Sequence, residues 1–237
     1  MKNLLIIIAL FLSIESFAQT ETDTHVFWHP GVKLTFDMFQ GTPSDSAVKI
    51  ITDHNIFHEQ YLGLWGLLDV PKSKKGWKKG MEEKPYICAA MDKKNSFLVV
   101  RDSTELKYAQ LCFDACEVAA RVARQNLAAK VDSAKKDIPS GKLNGVIYIW
   151  FHTCLSDGRM FKRVCMDGLN NMIQSRDEES YNEYRKLIDD LLKETEEFAT
   201  TPEEIQRFIT GKPDKGYKLA ESMIGDLRKR EDLHLDH

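Results

Sequence analysis

Five cysteines and a few histidines carry most of the nucleophilic and metal-ligating chemistry this chain could have. Cys112 and Cys116 stand one helical turn apart, Cys154 and Cys165 follow a later apolar run, and Cys88 is isolated. A thiol beside an imidazole base is a nucleophile–base pair, so Cys112 or Cys116 with His152 is one arrangement to weigh. No Gly-rich oxyanion turn accompanies it. In an oxidising compartment Cys112, Cys116, Cys154 and Cys165 are instead disulfide candidates, each helix cysteine pairing with one in the 154–165 segment. Five is an odd number, so at least one thiol then stays free or pairs between chains. Cys112, Cys116 and Cys154 with His152 would make a mixed zinc site, a variant of that geometry. His54 and His58 are also four apart, with Glu59 beside the second. Position 62 is leucine, so this is not H-E-x-x-H, and the β-branched surroundings favour strand-borne surface or edge histidines.

These residues need elements to hold them. Residues 1–18 read as a secretory signal: Lys2, then the nine apolar residues 4–12, then Ser16-Phe17-Ala18 before a cleavage site. An apolar run that short does not span a bilayer, which needs about 20 residues, and no later stretch in the mature chain could. The chain is therefore expected to be exported, periplasmic or extracellular after cleavage near Ala18. A formal charge of −3, from 33 Lys+Arg against 36 Asp+Glu, gives no electrostatic case for nucleic acid. Residues 19–100 read as β-rich, with strands expected at 32–36, 47–57, 61–68, 86–90 and 96–100. Between them 72–84 is a Lys-rich loop, whose Trp77 is the tryptophan expected to be exposed and able to anchor a partner or an acidic glycan. Asp102-Ser103-Thr104-Glu105 opens a helix running to about 134, and Pro139-Ser140-Gly141 breaks the chain. The run 146–151 reads as a buried strand. Helices are expected at about 160–173, at 178–198, and from Thr201-Pro202, and 211–216 is a turn. Leu219, Met223, Ile224 and Leu227 form a last amphipathic stripe.

The 103–134 helix concentrates the functional argument. Tyr108, Cys112, Ala115, Cys116, Ala119 and Ala123 share one face of small residues, and Gln110, Asp114, Glu117, Arg121 and Arg124 share the other. Patterning alone makes this a packing helix with a solvated acidic–basic back. Its residue order, Tyr108-Ala109-Gln110-Leu111-Cys112-Phe113-Asp114-Ala115-Cys116-Glu117 with Arg121 and Arg124 following, is similar to the H-E-Q-x-H-F-D-x-x-E helix of an uncharacterised family of predicted secreted zinc proteases. Upstream, Trp28, Leu34-Thr35-Phe36-Asp37, Phe39 and Gly41-Thr42-Pro43 resemble that family's W…L-T-W-x-D-F-x-G-x-P opening. Ala47, Thr52, Ala90-Met91 and Asn95-Ser96-Phe97 extend the resemblance, which covers about 28–124.

The resemblance implies a zincin-like scaffold and, at the ligand positions, a departure. H-E-x-x-H holds zinc between two imidazoles while the glutamate polarises water. Here Tyr108, Ala109 and Cys112 stand at those three positions. Alanine accepts no proton, and a phenol with a pKa near 10 is a poor ligand at neutral pH. Asp114 and Glu117 point roughly 140 to 180° away from Cys112 on a helix and do not rebuild the site. The expectation is an α+β protein: a β-rich N-terminal part packed on a long amphipathic helix (19–135) and a mostly helical C-terminal part (136–237). It has no catalytic residues and no cofactor, zinc having been lost. It is a pseudoenzyme binding a protein or cell-envelope partner, the alternative being a secreted hydrolase with a Cys nucleophile or a non-family metal site.

Overall fold

Residues 58–71 and 84–98 form the two longest strands, paired antiparallel from His58↔Leu98 to Asp69↔Lys84 with one register shift between Glu59 and Tyr61. They sit at the centre of a computed structural model that describes residues 19–137 and 145–220. In chain order the elements are β1 (His25–Phe27), α1 (Asp45–Asp53), β2 (His58–Pro71), α2 (Lys74–Lys78), β3 (Lys84–Leu98), α3 (Ser103–Asp137), α4 (Val146–Ser175), α5 (Glu178–Glu194), α6 (Pro202–Thr210) and β4 (Tyr217–Leu219). The four strands make one antiparallel sheet in the order β1-β3-β2-β4. The architecture is α+β, with the sheet N-terminal and most helices C-terminal. The expected signal at 1–18 and the stripe residues Met223, Ile224 and Leu227 lie outside the described residues. No helix among those described is long and apolar enough to cross a membrane.

Both faces of the sheet are covered, which is why 61–68 reads as a continuous apolar run rather than an alternating one. Leu62, Leu64, Leu68, Ile87, Ala89 and Met91 pack into the main core with α3 and α4. Trp65, Leu67, Cys88, Ala90 and Phe27 face the other way, onto Ile205 and Phe208 of α6. That helix starts as its sequence indicates: Thr201 and Glu204 form a reciprocal capping box with Pro202 in the first turn.

Several local expectations are overturned. The run 47–57 is not a strand; Ser44 caps α1 by accepting a hydrogen bond from the Ala47 amide, and the helix ends before Asn55 in the left-handed region. The strand expected at 32–36 is not formed: residues 32–35 are irregular and lead into a short 3-10 turn, Phe36–Met38. The two strands expected at 86–90 and 96–100 are one strand, β3. The run 146–151 is the first turns of α4, not a strand: its buried positions Val146, Ile147, Phe151, Cys154, Leu155 and Gly158 follow helical spacing. A six-residue apolar window fits either conformation, and the next two turns decide it. The Lys-rich loop contains the short α2, and Trp77 within it is half-buried.

The largest correction concerns α3. Every residue from Leu111 to Arg121 is buried, so its polar back is not solvated. The sheet and α4 cover one side, and α5, the loop 28–34 and the segment before α6 cover the rest. The crossing with α4 is close because Gly158 faces Ala123 and Ala119; a Cβ there would lie 2.8 Å from the Ala123 methyl and 3.0 Å from the Ala119 carbonyl oxygen.

Candidate functional site

The three positions that the sequence resemblance sets against a zinc-binding motif are sealed inside the protein. Tyr108, Ala109 and Cys112 are 2%, 0% and 4% exposed. The Tyr108 ring meets Tyr181 of α5 edge-on at 5.6 Å. The Arg176 guanidinium, at the α4–α5 junction, lies 5.1 Å over the Tyr108 ring, and the Lys107 ammonium lies 5.6 Å from it. Cys112 and Cys116 are held fully protonated at neutral pH: burial pushes both thiols up to about 12. A zinc ion needs deprotonated thiolate or neutral imidazole. What surrounds Tyr108 is a phenol, a methyl group, a buried thiol and two cationic side chains, so these residues do not fit the metal. Among the described residues no group of three or more His, Cys, Asp or Glu side chains could hold one.

The other sequence-derived constellations are not assembled either. All five cysteines are free. None of the bridges expected among Cys112, Cys116, Cys154 and Cys165 is formed; the 154–165 segment is continuous helix, with Cys154 and Cys165 about 16 Å apart along α4. Cys116 instead points its thiol at the Gly63 carbonyl oxygen, 3.7 Å away. His152 is exposed on α4 with its ring near Tyr148 and Phe151, and Cys112 and Cys116 are buried in the main core. A thiol–imidazole pair is thus not formed. His54 caps the end of α1, but His58 is no surface histidine: it is buried, and its Nδ1 is 2.8 Å from Glu105 Oε2.

What the structure does assemble on α3 is a set of buried ionic clamps. The Glu117 carboxylate accepts from Arg121 Nε at 3.0 Å, Arg124 Nη2 at 2.6 Å, and the Thr200 amide and hydroxyl at 3.0 and 2.8 Å. Arg121 also donates to the Leu192 carbonyl, and Arg124 to the Ile87 carbonyl and Thr200. One turn earlier Asp114 accepts from Trp28 Nε1 and Gln110 Nε2, both at 2.9 Å, and from Arg185 at 2.7 Å. Gln110 in turn accepts from the Leu34 amide. At the start of α3, Glu105 holds His58 and Arg176, and the same arginine donates twice to the Asn55 carbonyl. Burial alone would raise the Glu105 carboxyl; the hydrogen bonds from His58 and Arg176 outweigh it and hold the group below its ordinary value. On the sheet's far side Arg207 grips Asp69 with two bonds of 2.7 Å.

Gln110, Asp114, Glu117, Arg121, Arg124 and Trp28, the matching positions in the resemblance, are therefore cross-links. They bind the 28–34 loop, α5 and the segment before α6 to one helix. Helix periodicity placed them together but could not show that three other elements cover them. The available signal was the run of polar residues Gln110, Asp114, Glu117, Arg121 and Arg124 on one side of the helix. No protein-family model, curated protein or solved structure matches the chain.

Proposed function

We propose that this chain is an exported, non-catalytic protein built on a degenerate zinc-protease-like scaffold, acting by binding a protein or cell-envelope component. The observation that carries the reading is the split within α3. The positions that would hold metal and water, Tyr108, Ala109 and Cys112, have lost that chemistry and are buried. Those that fasten the helix to its surroundings, Gln110, Asp114, Glu117 and Arg121, keep matching side chains, all hydrogen-bonded. A scaffold kept while its reactive groups are filled with methyl and phenol supports a binding role. The Cys-hydrolase alternative needs a reactive thiolate, and the buried thiols with raised pKa speak against it. Metal analysis of the protein purified after export, with no metal added, tests the reading. Zinc far below one ion per chain is expected. Stoichiometric zinc that survives dialysis would sink the proposal.

A further inference from the structure

We propose that the lysine surface formed by 72–79 and 212–215 docks the protein on an anionic lipid bilayer. In the sequence these are two separate segments. The first holds Lys72, Lys74, Lys75, Lys78 and Lys79; the second holds Lys212 and Lys215. The fold joins them. β4 pairs with the end of β2 at Pro71↔Tyr217, and the Lys72 amide donates to the Gly216 carbonyl at 2.8 Å. A Cβ on Gly216 would lie 3.2 Å from Met81 Cε, so the turn before β4 packs directly on the segment after α2. All seven lysines are exposed.

The acidic groups of these elements are committed elsewhere. Asp214 pairs with Lys84 at 2.5 Å, and Glu82 with Lys135 at 3.4 Å. Glu83 is turned inward and accepts from the Ile147 amide at the start of α4. Asp69 is buried against Arg207. A chain with a formal charge of −3 therefore presents one strongly cationic face. Its exposed cations are lysines, compact point charges without the fork that recognises a single carboxylate or phosphate. Such a face complements a plane of anionic headgroups better than one pocketed ligand. Half-buried Trp77, between Lys75 and Lys78, has the amphipathic ring that settles at headgroup level.

This inference takes from the proposed function only the envelope-facing location; it uses a different surface from α3. The test is cosedimentation of the exported protein with phosphatidylglycerol vesicles and with phosphatidylcholine vesicles. Binding to the first alone, weakened by salt, is expected. At about fivefold per lysine, Lys74→Gln/Lys75→Gln/Lys78→Gln lowers partitioning on the order of 100-fold, and Lys212→Gln/Lys215→Gln by about 25-fold. Absence of binding to phosphatidylglycerol, or binding that neither variant weakens, overturns the proposal. So does capture by a soluble polyanionic glycan without vesicle binding, which assigns the face to a glycan. Zinc content does not enter this measurement, so the two proposals fail separately.

Discussion

At the scale of single residues, the chemistry of this protein is governed by what burial does to it. Cys112 and Cys116 have the spacing of a reactive or bridging pair, yet in a desolvated interior the thiolate form is disfavoured and both stay protonated. Cys88, a buried thiol on β3, is pushed well above its ordinary value for the same reason. Cys165 is the single cysteine with partial solvent access. Thiol titration at mildly alkaline pH should therefore label about one group per native chain and all five after denaturation. A count of three or fewer in denaturant without reductant would mean that bridges exist. Glu117 makes the complementary point. Its i,i+4 relation to Arg121 is visible in the sequence as an ordinary surface pair worth a few tenths of a kcal/mol. Buried and shared among Arg121, Arg124 and Thr200, it becomes a group whose removal strands two cations, a loss of about 3–5 kcal/mol.

At the scale of elements, the α3–α4 crossing is the contact on which the helical half rests. Its closeness follows from small residues on both helices: Ala119 and Ala123 on one, Gly158 on the other. Leu64 of β2 also reaches Gly158, with its Cδ2 3.0 Å from where a Cβ would sit. Gly158→Ala must then push the helices apart, against the usual gain from placing alanine in a helix, and should destabilise by about 1–3 kcal/mol. Urea denaturation would read this as a lower midpoint at unchanged slope; a variant as stable as the parent would mean the crossing is looser than described. The helical small-residue stripe of α3 was legible in the sequence. The identity of its partner was not, because 146–151 looks like a strand when read over six residues. Only the continuation to Cys154, Leu155 and Gly158 makes it a helix that can lie along α3.

At the scale of the molecule, Glu105 ties together three distant stretches: the start of β2 through His58, the start of α3, and the α4–α5 junction through Arg176. Because its folded-state pKa is lowered, the stability it contributes is complete above the ordinary carboxylate range and disappears as the pH falls through the folded value. Acid titration of stability should show this limb, and Glu105→Gln should flatten it; an unchanged acid limb would remove Glu105 from the account. Much was already determined by sequence alone: the α+β class, the long α3 helix, the helix start at Thr201-Pro202, and the absence of imidazole and carboxylate at 108, 109 and 112. Those depend on residue identity and short-range periodicity. Tertiary structure alone decided that the polar side of α3 is interior, that His58 belongs to a buried pair, that the cysteines do not meet, and that two lysine segments far apart in the chain share one face. Each depends on which remote surface covers a given side chain, and local spacing carries no record of that.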